Sequence, residues 1–248
     1  SLSKHDVEVV KPFLSADYAR NLQSLLTLSN LFPLLGSIVK LQEMDWHVGF
    51  LEGVDLSKSV SADEGRELVV AAKGIVDALR ILSRKYTLVI SNPPYLSSNN
   101  QTDELKDYCK KYYKPGKKDL ATVFVLKSLE YCQIGATTAL VTPQNWLFLG
   151  SDKKLRINLL SDKSWHLLVR LNEHSFSSKN AAGAFTALTI VSNKAKQGNF
   201  FALDASEGKY IEGKGDTLRS GDMLALSQKE QLNNPDAVVV IGKLAQSK

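Results

Sequence analysis

Cysteine and long apolar runs are both scarce in this sequence. Its 248 residues include two cysteines, Cys109 and Cys132, and neither lies at zinc-ligand spacing from any of the four histidines. A disulfide framework and a metal site are therefore not expected, and unpaired thiols are typical of the reducing cytoplasm. No stretch approaches the roughly 20 apolar residues that cross a bilayer, and the polar first residues do not resemble a signal peptide. We expect a cytoplasmic protein with no membrane partner.

Charge of one sign is not strongly in excess either. The chain has 31 Lys and Arg against 26 Asp and Glu, which gives a net charge of +5. This balance is compatible with a polyanionic partner such as nucleic acid but does not establish one. Hydrophobic residues make up 44% and charged residues 23%, which excludes a disordered chain and indicates an ordinary folded protein of one sizeable domain or two small ones.

The hydrophobic periodicity changes along the chain. Helical spacing is followed by short β-branched runs, and the two then alternate, which predicts an α/β fold with a doubly wound sheet. Asp119 is the expected N-cap of one helix and Gly135 its expected end. The predicted helices are 17–31, 63–83, 102–114, 119–132 and about 152–160, and the predicted strands are 86–90, 136–141, 165–171 and 186–191. The strand 86–90 is expected to be buried.

Three segments are predicted from this organisation. Residues 1–85 form a helical segment ahead of the central strand, and residues 86–204 form the part that carries the chemistry. Residues 205–248 are polar and rich in glycine, which is typical of a linker or of the beginning of another domain.

The chemistry is expected at Asn92-Pro93-Pro94-Tyr95, directly after strand 86–90. Ligands of open α/β sheets bind outside the carboxyl ends of the strands. The two prolines lack an N–H and fix φ, so they leave carbonyl oxygens and the Asn92 side-chain oxygen free to accept hydrogen bonds. Such a rigid acceptor pair can hold a planar amine, and the Tyr95 ring can stack on a planar base. The plain alternative is a strand-ending turn with a packing tyrosine.

This tetrapeptide is similar to the catalytic motif of amino-group methyltransferases that use S-adenosylmethionine, chiefly adenine-specific DNA methylases. The likeness continues over about residues 86–192. The later blocks resemble the large adenine methylases of type IIG restriction-modification and of BREX phage defence, the PglX-like branch. These blocks are Leu105-Lys106-Asp107-Tyr108, Lys111-Tyr112-Tyr113, Lys118-Asp119-Leu120, Val141 to Leu149 with its Thr-Pro-x-x-Trp pattern, and Lys154-Leu155-Arg156.

The resemblance implies a partial class I methyltransferase sheet, Rossmann-like, that methylates N6 of a flipped adenine in double-stranded DNA. It implies that Asn92 and the carbonyl of Pro93 grip the amine within the Asn92–Tyr95 motif, and that Tyr95 stacks on one face of the base. Phe176 is the expected ring on the other face, with Phe185 as the second choice. Other defence-system subunits would be further partners.

A lysine-rich segment follows the motif, with tyrosines interleaved. These lysines are candidates for contacts with DNA phosphates, because each neutralised phosphate adds to affinity. A solvated helix face is the equally weighted alternative. The residues are Lys110, Lys111, Lys114, Lys117 and Lys118.

The glycine-rich cofactor turn of such methyltransferases, similar to Asp/Asn-Pro-x-x-Gly-x-Gly, is missing from residues 1–91. Gly213-Lys214-Gly215 is the one Gly-x-Gly in the chain and lies after the motif. No cofactor-binding residue is assigned, and we expect this chain to be the catalytic middle of a longer protein, so that S-adenosylmethionine binds the full-length protein. Leu35-Gly36-Ser37-Ile38 resembles a block that larger methylases carry ahead of the catalytic strand.

Two other functions stay open on the sequence alone. One is a non-catalytic module that keeps the fold and binds DNA or a partner protein. The other is methylation of a glutamine amide in a translation release factor, which resembles the same Asn-Pro-Pro-Tyr chemistry. The 153 residues that follow Tyr95 argue against the second, because such enzymes are compact after the motif.

Overall fold

The computed structural model describes residues 34–40, 74, 77–177, 183–195, 198–208 and 210–242. The chain divides into two compact units, Ser1–Arg84 and Lys85–Lys248. In the first unit, the described residues include a 3-10 turn at Gly36–Ile38 and a helical stretch over 77–83, which is the end of the predicted helix 63–83. The predicted helix 17–31 lies outside the described residues.

The second unit is built on a mixed sheet. Its strands are β1 (Tyr86–Ser91), β2 (Cys132–Pro143), β3 (Ser164–Asn172), β4 (Thr186–Ser192), β5 (Asn199–Asp204) and β6 (Leu224–Ser227). The described sheet has the order β1-β2-β4-β3-β5-β6. Strand β4 runs antiparallel to both β2 and β3, so β1, β2, β3 and β5 all point the same way. The predicted α/β fold class is confirmed.

Five α-helices of the second unit are described. They are α1 (Asp103–Tyr112), α2 (Leu120–Tyr131), α3 (Lys153–Asp162), α4 (Ile211–Ser220) and α5 (Gln228–Asn233). Asp119 caps α2 as predicted, because its carboxylate accepts the backbone N–H of Ala121 at 2.8 Å. No described helix has the length and apolar character that crossing a membrane requires.

Gly135 was predicted to stop α2 and does not, although the predicted helix 119–132 agrees with the observed Leu120–Tyr131 to within one residue at each end. The helix ends at Tyr131, and β2 begins at the next residue. Gly135 lies inside β2 with a φ of +83°, a conformation that glycine adopts without steric cost. The register between β1 and β2 shifts between Tyr86 and Leu88, and Gly135 belongs to the extra residues that β2 inserts there.

The apolar core lies between one face of the sheet and α2 and α3. Trp165 is at its centre, with ring centroids 5.9 Å from Trp146 and 5.4 Å from Phe200. Leu155 and Leu168 in the same cluster are fully buried. Burial of such side chains stabilises the unit by about 1.5–3 kcal/mol each.

The segment after residue 204, predicted as a linker or a new domain, folds into this same unit. Strand β6 pairs with β5, and Ala237 and Val239 are buried in the core cluster. The buried guanidinium of Arg156 donates hydrogen bonds to the carbonyl oxygens of Asp236 and Ala237. The polar and glycine-rich segment after residue 204 therefore forms a short strand and two small helices of this unit. It is not an interdomain linker.

Strand β1 was predicted to be buried, and its side chains are instead largely exposed. Leu88 is 53% exposed and Ile90 is 74% exposed. The reason is position: β1 is the end strand of the described sheet and pairs with β2 on one side. An apolar run predicts a strand, but burial depends on the number of neighbours that the strand acquires.

Candidate functional site

The carboxyl ends of four parallel-pointing strands lie at one edge of the sheet. Asn92 follows β1, Gln144 follows β2, the loop 173–177 follows β3 and Ala205 follows β5. Phe185 lies at this edge as well, because it precedes β4, which runs in the opposite direction. This is the edge where open α/β sheets bind their ligands, and we call it the carboxyl edge.

The Asn92–Tyr95 tip stands at the carboxyl edge with alternating exposure. Asn92 and Pro94 are exposed, Pro93 is buried, and Tyr95 is half-buried. The buried proline ring anchors the turn, while the amide side chain of Asn92 reaches solvent. The acceptor role of the Asn92 side-chain oxygen and of the backbone carbonyls of the turn stays a prediction.

Backbone hydrogen bonds attach the segment after Tyr95 to the start of α2. The carbonyl oxygen of Leu96 accepts the N–H of Leu120 at 3.0 Å, and the N–H of Ser98 donates to the carbonyl of Lys118 at 2.8 Å. The side chain of Gln101 donates to the same Leu96 oxygen at 3.0 Å. These bonds hold the tip through the residue next to Tyr95.

The Tyr95 hydroxyl is buried and has no hydrogen-bond partner within the described part of the chain. Burial raises its pKa to about 12, and the negative charge of Asp119 adds to the increase. The hydroxyl is thus protonated at neutral pH, and the contribution of Asp119 places that carboxylate within electrostatic range of it.

The aromatic residues predicted for the other face of the base lie at the carboxyl edge. Phe176 is partly exposed in the loop after β3, and Phe185 is 42% exposed at the start of β4. Strand β4 is two strands from β1, and β3 is three strands away, which correspond to about 10 Å and about 14 Å. On that spacing, Phe185, which directly precedes β4, lies at the end of the strand nearer to Asn92, whereas Phe176 has to reach Asn92 through its loop.

Gln144 is a polar residue of this edge to which the sequence analysis gave no role. It is 7% exposed, its backbone N–H donates to the carbonyl of Phe185 at 2.8 Å, and its side chain donates to Asn172 Oδ1 at 3.2 Å. It therefore connects both ends of the loop that carries Phe176. Its position within the Thr-Pro-x-x-Trp block was the feature of the sequence that could have identified Gln144 as a candidate site residue.

A cavity of about 300 Å³ lies beside Ser97, Ser98 and Asn99, which follow the tip along the chain. Its charged lining includes Lys118, Asp119 and Asp152. Burial raises the pKa of the Asp119 carboxyl, hydrogen bonds from the backbone amides of Ala121 and Leu96 oppose that rise, and the charge of Asp152 adds to it. Asp152 accepts a hydrogen bond from the Ser151 hydroxyl at 2.7 Å.

The structure divides the predicted phosphate-binding lysines between two places. Lys118 is exposed at the carboxyl edge. On α1, by contrast, Lys110 is paired with Asp107 at 2.9 Å, and the ammonium group of Lys111 lies 4.7 Å from the centre of the Tyr112 ring.

Tyr112 and its neighbour Tyr113 line a second cavity, of about 460 Å³, together with residues at the start of β1, β2 and β3. That cavity is at the opposite edge of the sheet. Lys114 is exposed and Lys117 is half-buried in the connection that returns to the carboxyl edge.

Neither a metal group nor a cofactor turn is formed by the described residues. No three His, Cys, Asp or Glu side chains among them come together in a group that could hold a metal ion. Gly213 and Gly215 lie inside α4 and are not in a turn between a strand and a helix. Lys214 between them is buried and donates hydrogen bonds to the carbonyl oxygens of Leu171 and Ala205. This Gly-x-Gly therefore has a structural role, in packing α4 against the sheet.

Comparison with known proteins gives one family and several relatives. The family model of the Eco57I restriction-modification methylase matches residues 37–176. The adenine-specific methyltransferase BrxX of Escherichia coli O9:H4 (strain HS) is 26% identical over 182 residues, which are 72% of this chain and 15% of that protein. The adenine-specific methyltransferase PglX of Lacticaseibacillus casei (strain Zhang) is 27% identical over 128 residues, 51% of this chain and 10% of that protein.

Among solved structures, a nuclease-deletion mutant of the Type ISP restriction-modification enzyme LlaGI, in complex with a DNA substrate mimic, is similar at a TM-score of 0.46 and 14% identity. The similarity covers 64% of this chain and 18% of LlaGI. The chain thus spans 15% of BrxX, 10% of PglX and 18% of LlaGI.

Proposed function

This chain belongs to the Eco57I restriction-modification methylase family, and on that basis we propose that it carries the catalytic tip of a site-specific adenine-N6 DNA methyltransferase that acts in restriction-modification or phage defence. The names of the two adenine-specific relatives support the choice of adenine. The proposed substrate is double-stranded DNA with one adenine turned out of the helix.

The observation that carries the proposal is the exposed Asn92 amide beside a buried proline at the carboxyl edge. The lone pair of an adenine amino group is delocalised into the ring and is a poor nucleophile. When the Asn92 side-chain oxygen and the Pro93 carbonyl oxygen accept its two N–H groups, electron density at N6 increases as the new bond to carbon forms. Acceptors held rigidly before the reaction stabilise that transition state without reorganisation.

S-adenosylmethionine is the methyl donor used by methyltransferases of this kind. The described residues do not fit its amino-acid end, because their Gly-x-Gly is helical and no acidic residue follows a glycine turn there. We therefore assign to this chain the work done on the adenine side: it binds the base, orients the amine and stabilises the positive charge that develops on N6.

The base would be held by stacking. Tyr95 presents a half-buried ring next to the acceptor pair, and an aromatic residue from the loop between β3 and β4 would cover the other face. Phe176 remains our first choice, with Phe185 as the alternative. Stacking of a base on an aromatic side chain contributes about 1–3 kcal/mol.

Lysines at the carboxyl edge would contact the phosphates beside the extruded nucleotide. Lys118 is the strongest candidate, because it is exposed and lies in the segment bonded to the tip. Lys114 and Lys117 lie in the connection that leads to Lys118, whereas Lys110 and Lys111 have partners on α1 and would contribute less.

The test is the substitution Asn92→Ala in the natural gene product that contains this sequence. We expect loss of methyl transfer to DNA, measured with radiolabelled S-adenosylmethionine, while binding of the cofactor in calorimetry is unchanged. Loss of a positioned acceptor costs about 10²–10³ in rate. Asn158→Ala on α3 is the matched control, since Asn158 is exposed and lines the cavity at the opposite edge.

Two results would contradict the proposal. One is adenine methylation by Asn92→Ala at the wild-type rate. The other is a wild-type protein that binds DNA and cofactor but transfers no methyl group, which would favour a non-catalytic module.

A further inference from the structure

Gln144 is bound to both described flanks of the loop between β3 and β4. Its backbone N–H donates to the carbonyl oxygen of Phe185 at 2.8 Å, directly before β4. Its side-chain amide donates to Oδ1 of Asn172, the last residue of β3, at 3.2 Å. Thr186 of β4 is in register with both Pro143 and Asn172. The Gln144 side chain therefore crosses the end of β4 to reach β3.

Asn172 has an unusual backbone conformation at the point where the chain leaves β3. Its φ is +59°, in the left-handed region that asparagine enters more readily than most residues and that glycine enters without steric cost. Such a conformation persists where the surrounding contacts hold it. The hydroxyl of Ser175 donates to the carbonyl oxygen of Asn172 at 2.9 Å. The direction of the chain toward Phe176 therefore depends on how Asn172 is held.

The turn that carries Gln144 is fixed by buried contacts. Trp146, two residues further on, is 2% exposed, and its indole N–H donates to Thr142 Oγ1 at 2.9 Å. The buried guanidinium of Arg156 donates to the carbonyl oxygen of Trp146 at 2.7 Å. These bonds tie the residues on both sides of Gln144 to the core, so Gln144 is a rigid support for the loop.

Stability alone does not explain a glutamine at this position. Gln144 is 7% exposed, and its Oε1 has no hydrogen-bond partner among the residues that the structure describes. A buried amide with one end unpartnered is less favourable than an apolar side chain of the same size. The contribution of the amide is its contact with Asn172.

We infer that Gln144 is a positioning residue for the aromatic rings that stack on the target base. Its side chain holds Asn172 in the left-handed conformation and so sets the path toward Phe176, while its backbone N–H holds Phe185. The inference rests on the proposed function for the role of these rings. The attachment itself can be measured without methyl transfer.

Substitutions on both sides of the contact test it. Gln144→Met removes the side-chain hydrogen bond, keeps a buried side chain of similar length and retains the backbone contact with Phe185. Asn172→Gly removes the acceptor and allows a positive φ without steric cost.

Gln231→Met is the matched control. Gln231 is 6% exposed, and its Oε1 accepts the N–H of Val240 at 2.8 Å. It lies on α5, which begins beside the start of β5, at the opposite edge of the sheet. The control therefore removes a buried glutamine contact of the same kind away from the carboxyl edge.

Hydrogen exchange of the natural gene product, measured by mass spectrometry, tests the attachment. We expect peptides that contain Asn172 and Ser175 to exchange about tenfold faster in Gln144→Met, because local opening at the end of β3 becomes easier. The same peptides are unchanged in Gln231→Met. Unchanged exchange in Gln144→Met, or an equal increase in Gln231→Met, would overturn the inference.

Steady-state kinetics test the consequence for base binding. Misplacement of a binding group by about 1 Å can cost about 10²-fold, so we expect Gln144→Met to lower kcat/KM for DNA about tenfold to a hundredfold, with unchanged affinity for the cofactor. Two residues that act through one contact are not additive, so Gln144→Met should cause little further loss in an Asn172→Gly background. Wild-type kinetics in Gln144→Met, or the same loss in both backgrounds, would contradict the inference.

Failure of this inference and failure of the proposed function give different results. If the wild-type protein methylates adenine and Gln144→Met equals it in kinetics, the inference alone fails. If Asn92→Ala methylates adenine at the wild-type rate, the proposed function fails, and the role assigned to the rings fails with it.

Discussion

Tyr95 combines a ring that we propose for stacking with a hydroxyl that makes no hydrogen bond to the described residues. The hydroxyl is buried and has no hydrogen-bond partner within the described residues. A buried polar group without a partner costs about 1–3 kcal/mol. The hydroxyl of Tyr95 therefore does not stabilise the fold. We assign the functional role of this residue to its aromatic ring.

The substitutions Tyr95→Phe and Tyr95→Ala separate the hydroxyl from the ring. Tyr95→Phe should leave DNA affinity unchanged and should not lower the free energy of unfolding, because it removes an unpartnered group. Tyr95→Ala should weaken DNA binding by about 1–3 kcal/mol through the loss of stacking. Fluorescence anisotropy with a duplex and urea unfolding measure the two quantities. A Tyr95→Phe variant that binds as poorly as Tyr95→Ala would show that the hydroxyl, and not the ring, contacts the base.

At the scale of elements, strands β3 and β5 are joined at the carboxyl edge by a side-chain ion pair. Asp204 accepts hydrogen bonds from the guanidinium of Arg170 and, at 3.0 Å, from the N–H of Ser206. Burial alone would raise the pKa of the Asp204 carboxyl, but the hydrogen bonds and the charge of Arg170 lower it overall. The loop with Phe176 begins shortly after Arg170 along β3, so this pair supports the base of that loop.

The lowered pKa of Asp204 predicts acid sensitivity. The folded state binds this proton less readily than the unfolded chain, so the stabilisation is present above the ordinary aspartate pKa and is lost as the pH falls through the lowered value. Because the pair is partly exposed, we expect Asp204→Asn to cost about 0.5–1 kcal/mol at neutral pH and nothing once the pH is below the lowered pKa. Urea unfolding at several pH values measures this. Asp216→Asn is the control, since its pair with Arg219 on α4 is highly exposed, and an equal decrease there would refute the assignment.

Element boundaries show where local sequence is informative. The cap at Asp119 and the strand before Asn92 were predictable, because capping and β-branched runs act over a few residues. The start of β2 at Cys132 was not, because the helical pattern of α2 continues smoothly up to it. The exposure of Leu88 and Ile90 depends on the sheet order, which no local pattern encodes.

Across the whole molecule, basic residues of the segment after the motif are distributed over two edges of the sheet. This segment begins on α1, passes the cavity at the opposite edge and returns to the carboxyl edge at Lys118. Only part of it can face a DNA duplex that presents an adenine to Asn92. The lysines near the tip should therefore carry most of the salt dependence of binding.

Salt titrations of DNA binding test that distribution. Replacing Lys114, Lys117 and Lys118 together by alanine should reduce the slope of log K against log salt by about 0.9 for each phosphate that is no longer neutralised. Lys229→Ala on α5 is the single-charge control, because Lys229 is exposed but lies in the helix that follows β6, at the other end of the sheet. If Lys229→Ala changes the slope as much per charge as the triple variant, the lysines near the tip have no special role.

The local sequence was enough to predict the α/β class and the cap at Asp119, because caps and hydrophobic periods act over a few neighbouring residues. The acceptor role of the Asn92–Tyr95 tip and the stacking rings stay predictions. Folding alone connected Gln144 to both ends of the β3–β4 loop, placed Ala237 and Val239 in the core and separated Lys110 from Lys118. These contacts join residues that are far apart along the chain or on different elements. They depend on which strands become neighbours, and that order is settled by the packing of the whole sheet.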